Sequence, residues 1–186
     1  MFSVILHEVA HGWVAEKLGD PTARLEGRIT LNPISHIDPI GTILLPALFI
    51  ISGTGFFIAW AKPVPVNPMY LKDGKKDMAL VALSGPATNI LIALIATISY
   101  HLLFPMNITV MEIVRMNLFL AFFNLIPIPP LDGSKVISIL LSDEAALRFQ
   151  SVGQMGIFLL LGLFYFTPLG EFVSYLPLQV MRYLGM

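Results

Sequence analysis

The residues best equipped for chemistry stand at the start of the chain, where His7-Glu8-Val9-Ala10-His11 matches the pattern H-E-x-x-H. On a helix, positions i and i+4 share one face a turn apart, so the two imidazoles can hold one zinc ion. Glu8 projects beside them, placed to hold a water and take its proton. Zinc lowers the pKa of such a water to about 7, which makes hydroxide accessible at neutral pH. With four His and six Glu in 186 residues, chance produces this pattern with odds of about 0.3%. Two His and a Glu inside an apolar helix are also costly without a task. The bland alternative is a buried His–Glu–His hydrogen-bonded cluster.

A catalytic zinc usually takes three protein ligands and keeps one position for water, so a third ligand is needed. Asp132 closes the charge-free run 116–131, and Pro127, Pro129 and Pro130 unwind the chain before it, which lets a carboxylate turn inward. From its chemistry alone Asp132 reads equally well as an Asp-Gly turn at a membrane surface. His36 and Asp38 compete for the role from a polar, Pro-flanked loop where surface residence is the default. His101, following Tyr100, reads as an interfacial residue. Asn89, Asn117 and Asn124 are amides in apolar segments, where helix–helix hydrogen bonding is the ordinary use and the reading taken for Asn117.

The elements that must position these residues are those of an integral membrane protein. Only 12% of residues are charged, against 56% hydrophobic, with a mean hydropathy of +0.79. The stretches 39–61, 78–111, 116–131 and 149–170 carry no charge, and a bilayer core of about 30 Å needs about 20 apolar residues as helix. A net charge of −1 without a basic run excludes nucleic acid as a partner class. The absence of Cys excludes disulfide scaffolds and Cys-based metal sites. No repeat or long polar linker divides the chain, so residues 1–186 read as one domain.

Along the chain, residues 1–18 read as an apolar helix with Gly19 as its stop. Leu25-Glu26-Gly27-Arg28-Ile29-Thr30-Leu31 alternates as a strand would. Segment 39–61 is broken by Pro46 and by Gly53-Thr54-Gly55, and its aromatic end, 56–61, is β-prone. Pro63, Pro65 and Pro68 then forbid helix. Further apolar helices are expected over 78–104, 112–126 and 150–167, followed by an amphipathic tail at the interface.

Three of these stretches, H-E-V-A-H at 7–11, S-G-P-A-T-N at 84–89 and F-N-L-I-P-I-P-P-L-D-G at 123–133, together resemble the site-2 protease family, the M50-type intramembrane zinc metalloproteases. G-R-I-T-L-N-P at 27–33 and W-A-K-P-V-P-V-N-P at 60–68 resemble its short members without PDZ or CBS domains. The likeness covers roughly residues 1–140. It implies one zinc ion per chain held by His7, His11 and Asp132, with Glu8 as general base and Asn124 in contact with substrate or the reacting carbonyl. It also implies hydrolysis of peptide bonds in or near transmembrane segments of other membrane proteins (regulated intramembrane proteolysis), with the lipid bilayer as the second partner. A membrane metal-ion transporter would need ligands spread across the bilayer, and a non-catalytic relative would have little use for an intact Glu8. In the family the H-E-x-x-H helix is a full span, whereas only six residues precede His7 here. The expectation is therefore that this first segment is N-terminally incomplete and that the natural polypeptide extends upstream of Met1.

Topology follows from the shared depth of the ligands. If His7, His11 and Asp132 meet, segments 1–18 and 112–126 exit on one side, 78–104 begins there, and both ends of 39–61 lie there too. Segment 39–61 is then re-entrant, entering as a short helix and returning extended through 56–61 beside 25–31. That arrangement puts nine Lys and Arg on the active-site side and two, Arg115 and Arg182, on the other, which makes the first side cytoplasmic. The expected fold is an all-α polytopic membrane protein with about four transmembrane helices, one re-entrant segment and a small membrane-associated β-element. The expected location is a prokaryotic cell membrane, multi-pass, with the active site nearer the cytoplasm.

Overall fold

A computed structural model describes residues 1–53, 59–153 and 155–186. All regular elements among the described residues are helical. Residues Phe2–Lys17 form α1, Thr22–Leu25 α2, Leu45–Ser52 α3, Gly74–Leu102 α4, Ile108–Asn124 α5, Asp132–Ile137 α6, Asp143–Ser151 α7, Met155–Phe166 α8 and Leu169–Tyr183 α9. The organising element is α4, which packs against α1, α5 and α6. Behind it, α9 docks on α5, and Ala93, Val114, Leu118 and Met181 from these three helices form a buried cluster. Among the described residues α4 is the one helix long and apolar enough to cross a bilayer unaided. Local chemistry sets the boundaries: Asn107 accepts from the Val110 amide to cap α5, and Ser142 does the same for α7 through Ala145.

Segment 39–61 folds back on itself. A π-helical turn, Pro39–Leu44, capped by Asp38 through the Ile40 and Gly41 amides, leads into α3, and Gly53 ends α3 in the left-handed region at φ 63°. Residues 54–58, which hold the first half of the return strand expected over 56–61, lie outside the described residues. The chain re-emerges beside its own start: the Trp60 amide donates to the Gly41 carbonyl at 3.2 Å, Thr42 Oγ1 donates to the Trp60 carbonyl at 2.7 Å, and the Lys62 amide donates to the His36 carbonyl at 2.9 Å. The helical run from Pro39 to Ser52 rises about 20 Å at most, less than a bilayer core.

The strand expected over 25–31 is not formed. Asp20 accepts the Thr22 amide at 3.0 Å and, with Pro21, starts the short helix α2, while Gly27 turns the chain at φ 64°. The extended run from 62 to 67 does lie alongside, but Pro63 and Pro65 have no N–H for a ladder. Arg28 makes the contact instead, donating through Nη2 to the carbonyls of Lys62 at 2.8 Å and Pro63 at 3.2 Å. No strand exists among the described residues, and 25–31 meets 62–67 through these side chain-to-backbone hydrogen bonds.

Candidate metal centre

The H-E-x-x-H segment lies on α1 with both imidazoles buried, their rings edge to face at 4.6 Å between centroids. Asp132 is the first residue of α6, also buried, and arrives through a tight turn after α5. That turn needs Gly133, since a Cβ there would run into the Leu125 carbonyl. The three side chains converge. His7 Nε2 and His11 Nε2 each lie 3.1 Å from Asp132 Oδ2, and 3.0 Å from one another.

The partners of the other ring nitrogens explain what the triangle is for. His7 Nδ1 lies 2.6 Å from Asn89 Oδ1, and His11 Nδ1 lies 2.7 Å from the Val81 carbonyl. Both partners are acceptors, so both Nδ1 atoms carry the hydrogen and both Nε2 atoms present lone pairs. Two imidazole lone pairs and a carboxylate oxygen thus face one another. One proton could relieve one edge of that triangle, but not three edges of 3.0–3.1 Å. A cation relieves all three. Tetrahedral zinc with ligands at about 2.0–2.1 Å requires ligand–ligand edges of about 3.3 Å, close to those present. The donor set of two His and one carboxylate, buried and oriented from behind, fits zinc.

Helix α4 supports this centre from behind. Asn89 is fully buried; its Nδ2 donates to Asn117 Oδ1 at 3.0 Å and to the Ser3 carbonyl at 3.3 Å, while Asn117 Nδ2 donates to the Ile113 carbonyl at 2.8 Å. Asn117 therefore joins helices, as its type suggested, but Asn89 also fixes a candidate ligand. Gly85, four residues earlier, faces the same way. A Cβ there would sit 2.5 Å from His11 Nε2 and 2.6 Å from His7 Cε1, so only glycine lets α4 approach the rings.

In front of the triangle opens a cavity of about 310 Å³ lined by Glu8, Val64, Val66, Met78, Asn124 and Lys135, among others. Glu8 Oε2 accepts the Val64 amide at 2.8 Å. Asn124 reaches the cavity but its Nδ2 is spent on the Leu120 carbonyl at 3.0 Å. Lys135 Nζ lies 3.2 Å from Asp132 Oδ1. The competing ligands lie elsewhere: His36 is buried with Nε2 2.9 Å from the Thr30 carbonyl, and Asp38 caps its turn. His101 sits at the other end of α4, 2.8 Å from the Leu184 carbonyl.

Four supporting groups escaped the sequence reading: Asn89 as an orienting amide, the Val81 carbonyl, the Val64 amide and Lys135. Gly85 and Asn89 stand four apart, which places them on one helix face, and that spacing was a usable signal. The Val64 amide could have been noticed as an N–H left between two prolines.

Comparison with known proteins agrees with the geometry. Residues 105–163 match Peptidase family M50. The chain is 37% identical over 195 residues to a Bacillus subtilis protein named "Putative zinc metalloprotease YwhC", covering 97% of this chain and 84% of that one. It is also similar to two proteins named "Putative zinc metalloprotease Rip2", at 28% identity in Mycolicibacterium smegmatis and 31% in Mycobacterium tuberculosis. The alignments cover 90% and 88% of this chain but 65% and 64% of those relatives, so it spans just under two thirds of their length. No solved structure matches the chain. With a relative this similar over nearly the whole chain, and with the buried His–His–Asp triangle beside a glutamate, the chain belongs to peptidase family M50, the site-2 protease family of zinc metalloproteases.

Proposed function

We propose that this protein is an intramembrane zinc metalloprotease that hydrolyses peptide bonds in or near transmembrane segments of other membrane proteins. The observation that carries the reading is the convergence of His7, His11 and Asp132 within 3.0–3.1 Å beside Glu8 at the wall of an open cavity. These three residues would hold the zinc. When bound, the metal supplies Lewis-acid polarisation of the scissile carbonyl and eases ionisation of a water. Glu8 is the general base: the Val64 amide holds Oε2, leaving Oε1 to take a proton from water and return it to the departing amine. Asn124, at the cavity wall, contacts substrate or the reacting carbonyl. A transmembrane substrate must unwind to offer its peptide bond, because a membrane-spanning helix hydrogen-bonds its backbone internally.

In this proposal loops 19–38 and 62–77 share the cytoplasmic face and segment 39–61 re-enters without crossing. The bond from the Asn67 amide to Asp20 Oδ2, 2.6 Å long, supports a shared side, as does the return of Trp60 to Gly41. Two experiments test the reading. Purified zinc-loaded protein should cleave β-casein and a doubly tagged single-span test protein, Glu8→Gln should keep its zinc and lose cleavage, and Asp132→Ala should lose zinc. Full zinc content in Asp132→Ala protein removes Asp132 from the site. In this Cys-free chain, Glu26→Cys and Lys72→Cys should react with an impermeant thiol reagent only from the cytoplasmic face, and Asn107→Cys only from outside. Labelling of the first two from opposite faces means that segment 39–61 spans.

A further inference from the structure

The two oxygens of Asp132 are used differently. Oδ2 faces both His7 Nε2 and His11 Nε2 at 3.1 Å, whereas Oδ1 turns to Lys135 Nζ at 3.2 Å. Lys135 follows one helical turn later on α6 and is the one Lys or Arg lining the cavity among the described residues. Its side chain is 36% exposed against 8% for Asp132, so Lys135 stands toward the open cavity and Asp132 lies buried behind it. We propose that Lys135 is a positioning residue that confines Asp132 to one-oxygen coordination and so keeps a metal position open for water and substrate. The inference rests on the zinc-protease reading above.

The physical reason lies in the freedom of a carboxylate, which can give a divalent cation one oxygen or both. A second oxygen on the metal would crowd the open position that separates catalytic zinc sites from closed structural ones. An ammonium on Oδ1 engages its lone pairs and sets a positive charge on the side away from the histidines, so rotation of Oδ1 toward the metal loses a charge-assisted bond. Lysine suits the task, since its three donors spare one for Oδ1 and leave two for the cavity. An ordinary i, i+3 surface pair would instead add a little helix stability and leave the metal's surroundings alone.

Cobalt(II) in place of zinc reports coordination number through its visible absorption, independently of turnover. The test compares unmodified protein, Lys135→Met and Lys135→Arg in detergent, with cobalt stoichiometry, zinc affinity from a competing chelator, and kcat on β-casein. The unmodified protein is expected to take one cobalt with the intense bands of a four-coordinate ion. Lys135→Met should also take one cobalt but with the weaker bands of a five-coordinate ion, hold zinc at least as tightly, and lose about 10–100-fold in kcat. Lys135→Arg should restore both bands and kcat. Unchanged bands in Lys135→Met overturn the proposal, and so does loss of cobalt, which would make Lys135 a residue that merely holds Asp132 in place. Failure of the unmodified protein to take up cobalt would overturn the metal centre itself and this inference with it.

Discussion

On one side of the cavity, His7, His11 and Asp132 are carried by α1 and α6 against α4, and each ring is fixed by a partner distant in sequence, Asn89 or the Val81 carbonyl. On the other side, residues 62–67 run extended and are held by single side chains reaching the backbone: Arg28 to the carbonyls of Lys62 and Pro63, Glu8 to the Val64 amide, Asp20 to the Asn67 amide. The first wall is close-packed to the point that Gly85 admits no methyl group. The second has no ladder, because its prolines lack donors. Packing gives the metal side the precision that ligand geometry requires, while the proline-rich side is held by single polar contacts to its backbone. Glu8 belongs to both, since it grows from α1 and is held by the loop.

The largest effect is expected where the walls meet. Glu8→Gln should reduce kcat by about 10²–10⁴-fold, the usual worth of a general base, with zinc content unchanged by elemental analysis. Residual turnover near that of the unmodified protein would separate Glu8 from the chemistry. Next comes the metal itself. Its removal by a chelator leaves three electron-pair donors facing one another, and thermal unfolding should show a loss of about 2.7 kcal/mol relative to protein at a free zinc concentration near 100 times Kd.

Within the packed wall, Asn89→Ala should weaken zinc binding about 10–100-fold by freeing the His7 ring. Gly85→Ala should do the same by displacing both rings, with about 1–3 kcal/mol of added strain. Competition with a chromogenic chelator measures both. The smallest expected change belongs to the loop wall. Asp20→Ala removes the acceptor of the Thr22 and Asn67 amides, at about 1–3 kcal/mol for the buried donors left unpaired. It should speed amide hydrogen exchange over residues 62–70 and lower kcat/KM while zinc affinity stays constant. If Asp20→Ala weakens zinc as much as Asn89→Ala does, the two walls are one cooperative unit and the comparison fails.

Some of this was settled along the chain. The spacing of His7, Glu8 and His11 places them by helix geometry alone, because 3.6 residues per turn leaves i and i+4 little choice. The charge-free stretches dictate an apolar, helical molecule, since a chain without polar faces must satisfy its backbone internally. Pro127, Pro129 and Pro130 mark where α5 must stop before Asp132. Only the tertiary structure brought Asp132, 125 positions from His7, to the same point, and only it chose Asn89 and the Val81 carbonyl to set the tautomers. The alternation at 25–31 misled because a strand is a property of two segments: here the chain turns at Gly27, and Arg28 spends its guanidinium on the carbonyls of Lys62 and Pro63. Periodicity and motif spacing are local and survive in one dimension. Hydrogen-bond partnership across a fold depends on which surfaces meet, and no run of residues contains that information.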